Sequence, residues 1–255
     1  MGLFGSIVSG ISSAVSSVCR CVSSVCSGIA GVLGGSSLGK AVSSFVSKIG
    51  VALPGLNIVS TIITVANIVS GIAEVLAIKE QDKDAPDELA LKAEKCDEKP
   101  EDFASTEAYI KHLHENVKLS KEETRERFDN MSREERTAYR AVGTYLYAKA
   151  CSERLGFDKE GLRNPELKGI TSDILADLSK LQHSISPSEF VMYSKYLMSN
   201  GLGMKDFSAY LHNRSTDLST DEKVQSALTD AIKEMNPGIA QGEINQKLYA
   251  MNIEE

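Results

Sequence analysis

Apolar side chains near the start of the chain fall at Val8, Ile11, Val15, Val18, Val22, Val25, Ile29 and Val32. The spacing alternates between three and four, which places them on one face of a helix. Residues 14–20 (Ala-Val-Ser-Ser-Val-Cys-Arg) and 21–27 (Cys-Val-Ser-Ser-Val-Cys-Ser) form a near-perfect seven-residue repeat, and residues 41–47 echo it. A ladder of small residues runs beside the apolar stripe. Gly5, Ser9, Ser13 and Ser17 are spaced by four, as are Ser23, Ser27, Gly31, Gly35, Gly39, Ser43 and Ser47. Small residues at this spacing let helix backbones approach closely, which is how helices associate inside lipid. Ser, Gly and Val are weak helix formers in water, so the segment is expected to need a partner helix or a bilayer.

From Ile49 to Ala73 no side chain is charged. At ~1.5 Å per residue such a run is long enough to cross a ~30 Å hydrocarbon core. Pro54-Gly55 is expected to break its front end, leaving a predicted helix from Leu56 to about Ile78. Asn57 and Asn67 lower its hydrophobicity and are candidates for hydrogen bonds across a helix contact.

The pattern then changes. Residues 80–101 are rich in charge and carry two prolines, which reads as a solvated linker with a short helix from Asp87 to Cys96. Beyond it helix starts come in succession. Ser120-Lys-Glu-Glu123, Ser132-Arg-Glu-Glu135 and Ser219-Thr-Asp-Glu222 have the form of capping boxes, and Ser186-Pro-Ser-Glu189 adds proline at the first helical position. Stops are expected at Gly156, Gly201 and Pro237-Gly238. Helices are therefore predicted near 104–118, 121–130, 133–155, 172–184, 187–199, 204–213, 220–235 and 240–251. No run alternates long enough for a strand. The expected fold is all-α: Gly/Ser-rich apolar N-terminal helices (1–79), a charged linker (80–101) and a soluble multi-helix bundle (102–255).

Charge sharpens this division. The first 73 residues contain no Asp or Glu and only Arg20, Lys40 and Lys48 as basic side chains, a charge of +3. The remainder carries all 35 acidic residues and a net charge of −10. An acidic C-terminal half argues against nucleic-acid binding, which needs clustered Lys and Arg. Five cysteines, an odd number, argue against a secreted disulfide framework. The N-terminus lacks the basic start and unbroken apolar stretch of a cleavable signal, so classical secretion is not expected. Met1-Gly2-Leu3-Phe4-Gly5-Ser6 fits the myristoylation pattern, which makes Gly2 a candidate lipidation site and Cys19, Cys21 and Cys26 candidates for a second acyl anchor. Those three thiols have no His or acid near them in sequence and read otherwise as small apolar side chains.

Candidate chemistry is sparse. Glu123, Glu126 and Glu135 belong to solvated helix faces. His112 and His114 lie two apart on a predicted helix and so point to different sides, which rules out a shared ligand site and suggests exposed polar residues. Tyr145, Tyr147, Tyr193 and Tyr196 read as core and rim. No phosphate loop, nucleophile elbow or zinc-ligand spacing is present, so neither catalytic residues, cofactor nor metal is expected.

The opening Met-Gly-Leu-Phe-Gly-Ser-Ile-Val-Ser-Gly-Ile-Ser-Ser-Ala-Val resembles in style the N-termini of phage ejection (pilot) proteins and the membrane-active N-termini of minor capsid proteins of non-enveloped viruses. Gly-Leu-Phe-Gly is also similar to viral fusion peptides. The likeness covers roughly residues 1–75 and is compositional. It implies a virion component delivered to a host membrane, where its helices associate to form or line a passage. Ser pairs and Arg20 depart from a typical spanning segment and favour interfacial or oligomeric insertion. The expected function is thus non-enzymatic and membrane-active, with a lipid bilayer, further copies of the chain and other structural subunits as partners. Two alternatives stand beside it: a protein-only assembly component with a buried apolar N-terminus, and a lipidated host-targeted effector.

Overall fold

The computed structural model describes residues 40–51, 57–80, 84–157, 170–213 and 217–253. Among them all regular structure is helical. In chain order the helices are α1 (40–51), α2 (Ile58–Val75), α3 (Pro86–Lys95), α4 (Thr106–Asn116), α5 (Lys121–Asp129), α6 (Arg133–Arg154), α7 (Ser172–Lys180), α8 (Pro187–Ser199), α9 (Met204–Leu211), α10 (Leu218–Met235) and α11 (Gln241–Tyr249). A 3₁₀ turn, Pro100–Asp102, precedes α4.

Local chemistry sets the ends. Ser120 and Glu123 close a reciprocal capping box on α5, and Ser186 and Glu189 close one on α8, with Pro187 at the first turn. Ser132 caps α6 in the forward direction, accepting from the Glu135 amide at 3.1 Å. The box expected at Ser219 is displaced. Asp217 is the cap instead, accepting from Ser219 N at 3.0 Å and from Thr220 Oγ1 at 2.8 Å, so α10 starts two residues early. Gly156, Gly201 and Gly238 follow α6, α8 and α10 with φ of 81°, 72° and 88°, a left-handed turn glycine makes at little cost.

Helix α6 is the hub of the first half. Its Thr, Ala and Tyr side chains pack against α2, α3 and α4. In the second half α8 packs on α10, and α9 lies against α7, α8 and α10. Helix α2 joins the halves, because it packs against α6 on one side and α7 and α8 on the other. Two glycines permit the close approaches. A Cβ on Gly143 of α6 would lie 1.8 Å from the Pro86 carbonyl oxygen of α3, and one on Gly71 of α2 would lie 2.8 Å from the Pro187 ring of α8.

One contiguous core results, running from Val42 to Ile253. The expected boundaries at 79 and 102 cross it. Within segment 80–101 the short helix expected from Asp87 to Cys96 is α3, and its Leu89, Ala90, Leu91 and Ala93 are buried in the core. Its charges are sorted by face: Lys95 is exposed on the outer side, while half-buried Glu94 accepts from Tyr139 at 2.9 Å and buried Asp87 accepts at 3.1 Å from both Arg136 Nε and Arg140 Nη2 of α6. Averaged over the segment, these two faces look like a polar linker.

Candidate functional site

Of the small-residue ladder, Ser43 and Ser47 lie among the described residues. Gly5, Ser9, Ser13, Ser17, Ser23, Ser27, Gly31, Gly35 and Gly39 lie outside them, as do Gly2, Cys19, Cys21 and Cys26. Helix α1 therefore gives the one view of the seven-residue pattern. Val42, Phe45, Val46 and Ile49 are buried, and the Phe45 ring stands edge-on to Tyr145 of α6 at 5.7 Å. Ser44 and Ser47 face solvent and Ser43 is half-buried. The contact is made by the apolar stripe, with Ser47 turned away from it.

Helix α2 is long and apolar enough to cross a membrane, and half of it is buried inside this body. Ile58, Val59, Ile62, Val65, Val69 and Ile72 face the core, whereas Ile63, Asn67, Glu74 and Val75 are exposed. Asn57 is an N-cap, accepting from Ser60 N at 2.9 Å, and Asn67 faces outward; neither lies in a buried helix contact.

A cleft of about 1120 Å³ opens between the α2–α3 connection and helices α4 and α5. Its charged anchor is Asp84, held at φ 38°. The carboxylate accepts from Lys92 Nζ at 2.6 Å and lies 2.6 Å from His114 Nδ1, while the Asp84 carbonyl accepts from the Tyr147 hydroxyl at 3.1 Å. Burial pushes the Asp84 carboxyl up, but the bonds and charges of His114 and Lys92 outweigh it and hold the group below its ordinary value. Nearby Glu88 is raised, first by burial and then by the charges of Asp84 and Asp87. His114 Nε2 is buried and has no partner among the described residues. A His–Asp pair can serve as a base, but Lys92 already neutralises this carboxylate. The arrangement acts as an electrostatic clasp that fixes the residues leading into α3 against α4.

Other polar clusters are likewise fasteners. Asp177 of α7, buried, accepts from Ser208 at 2.8 Å and lies 2.7 Å from His212 Nε2. Both neighbours contact the one carboxylate, so this is not a relay from hydroxyl to imidazole to acid. Tyr139 donates to Glu94 at 2.9 Å and accepts from Arg127 at 3.3 Å; burial first, then Glu94, pushes its hydroxyl up to about 12. Glu123 closes its cap and pairs with Lys95. Tyr145, Tyr147 and Tyr193 are core residues and Tyr196 lies at the rim, bonded to Glu234. Burial raises the Cys151 thiol strongly, which makes it an inert core side chain.

The two neighbouring histidines do point apart, as their spacing requires, but neither is simply exposed. His114 joins Asp84, and His112 turns to Cys96 and Glu98. Cys96, Glu98 and His112 are the set of three metal-ligating side chains that converges among the described residues. Nothing in their sequence spacing signals it, because Cys96-x-Glu98 and His112 come together only when α4 folds back along α3. No protein-family model, no curated protein and no solved structure matches this chain.

Proposed function

We propose that this is a non-enzymatic, membrane-active structural protein in which a folded helical body carries an acid-free apolar segment to a bilayer. The observation that carries this reading is the division of the acid-free sequence. From α1 onward its apolar side chains serve the body's own core, as Val42, Phe45, Ile62 and Val65 do. The apolar stripe and small-residue ladder of residues 1–39 precede that body and contain Arg20 as their only charged side chain. That composition suits interfacial or oligomeric insertion through close helix contacts. Helix α2 stays in the body, since extracting it would uncover the packing faces of α6, α7 and α8.

Liposome flotation with dye release tests the reading. The full chain should float and release dye. A full-chain variant with Val15→Asp, Val22→Asp and Ile29→Asp, melting at the same temperature, should do neither. Gly31→Leu, Gly35→Leu and Gly39→Leu together should shrink the oligomers seen in detergent. Flotation that survives the three aspartates would sink the proposal.

A second reading draws on α1. The one described example of the repeat buries its stripe against protein, with Phe45 on Tyr145. The earlier repeats could dock on helices of other subunits in the same way, giving a protein-only assembly component. Failure of the unmodified chain to float, together with solubilisation by a partner subunit without detergent, would favour that alternative.

A further inference from the structure

We propose that Cys96, Glu98 and His112 form a binding site for a single transition-metal ion of the zinc class. This site is independent of the membrane reading above.

Cys96 is the C-cap of α3, where the chain leaves the helix, and its side chain is buried. Two residues on, Glu98 turns back so that its Oε2 lies 3.3 Å from Cys96 Sγ. Helix α4 brings His112 alongside, with Nε2 3.5 Å from the same carboxylate oxygen. The three ligand atoms all lie within 4.8 Å of one another. Tetrahedral zinc, with bonds of about 2.3 Å to sulfur and 2.0–2.2 Å to nitrogen and oxygen, sets ligand-to-ligand edges of about 3.4–3.6 Å. Two of the three edges are thus already at coordinating distance, and a small rotation of His112 or Glu98 closes the third.

The surroundings have the features of a built site. The Phe103 ring packs 5.0 Å from the His112 ring and 5.2 Å from Tyr109, walling one side. The Tyr109 hydroxyl is wholly buried and has no partner among the described residues. A buried donor with nothing to bond is costly. Asp97, Glu101 and Asp102 on the connecting loop are exposed and make the approach favourable to a cation.

The donor set selects the ion. One thiolate, one imidazole and one carboxylate suit Zn²⁺ or Co²⁺; Mg²⁺ and Ca²⁺ require oxygen ligands throughout, and Cu⁺ favours more sulfur. Three protein ligands leave one position for water. Binding replaces the proton on Cys96 by the metal: the S–H bond breaks, an S–metal bond forms from the sulfur lone pair and one proton passes to solvent. Affinity should therefore fall as pH falls. Mechanically, the ion would clip the α3–α4 connection to α4.

The test uses the full chain in detergent with Cys19→Ser, Cys21→Ser and Cys26→Ser, so that the N-terminal thiols cannot contribute. Cobalt(II) titration should saturate at one equivalent, with a thiolate-to-cobalt charge-transfer band and visible bands of tetrahedral intensity. Cys96→Ser should abolish the charge-transfer band, and Cys151→Ser should leave it unchanged. His112→Gln and Glu98→Gln, at less buried positions and so safer for folding, should each weaken binding by roughly tenfold or more. Zinc should raise the melting temperature of the parent by more than that of His112→Gln. No band in the parent, or a band that survives both Cys96→Ser and His112→Gln, overturns the proposal.

Discussion

Helices α2 and α6 pack against each other and reverse the usual relation between composition and burial. Helix α2 carries one charged side chain, Glu74, in 18 residues and is half buried. Helix α6 carries charge at both ends and polar Thr, Tyr and Ser side chains within, yet most of it is buried, including Thr144, Tyr147 and Ser152. Its polar groups are satisfied: Thr144 Oγ1 donates to the Arg140 carbonyl at 2.7 Å and Ser152 Oγ to the Ala148 carbonyl at 3.0 Å. A hydroxyl that bonds within its own helix enters a core cheaply. Burial follows position in the packing, and an apolar helix is a membrane helix only if no protein surface claims it first.

The comparison breaks hardest at Val65. It is fully buried on α2, and Val65→Asp would strand a carboxylate in the core. A loss of more than about 4 kcal/mol is expected, seen as collapse of the thermal transition for the whole body; an unchanged melt would place α2 outside the core.

Next comes Gly143→Ala. Its Cβ would meet the Pro86 carbonyl, a backbone atom that cannot swing aside. The α3–α6 contact should loosen at a cost of about 2–3 kcal/mol, measured by urea denaturation.

Asp84→Asn tests the clasp and keeps the left-handed backbone that Asn tolerates. Because the folded-state pKa of Asp84 lies below its ordinary value of 3.8, its contribution is fully present above that value. It is lost as pH falls through the lowered folded value. The variant should be less stable at neutral pH and show a flatter loss of stability below about pH 4. Glu88 has the opposite sign. Its raised pKa means ionisation disfavours the folded state as pH rises through its ordinary value of 4.5, so Glu88→Gln should stabilise at neutral pH. Melting curves across pH read both.

The smallest expected effect discriminates most sharply. Ile63 is 37% exposed on the outer face of α2. In a protein core helix Ile63→Lys should shift stability by no more than about 0.5 kcal/mol. In a spanning helix the same lysine would cost roughly 3 kcal/mol of insertion. Retention of the folded, detergent-free body by Ile63→Lys is the expected outcome.

Helix positions were legible in the chain because caps and stops act over three or four residues. Ser120, Ser132 and Ser186 begin α5, α6 and α8 as expected, and Gly156, Gly201 and Gly238 follow α6, α8 and α10. The Ser219 box failed by a local rival, Asp217, which offers a carboxylate two residues earlier. Tyr145, Tyr147, Tyr193 and Tyr196 read together as core and rim, and packing made the first three core and left Tyr196 at the rim.

Sequence alone thus determined the all-α class, the ends of most helices and the confinement of acidic residues to the chain after Ala73, since each depends on neighbours along the chain. Tertiary structure decided the rest. It made α2 the link between the two groups of helices and buried α3, where averaged charge suggested a linker. It also sent His112 to Cys96 and Glu98 and His114 to Asp84. Those outcomes depend on which faces of distant segments meet, and Gly143 against Pro86 or His112 beside Cys96 leaves no periodic trace in the sequence.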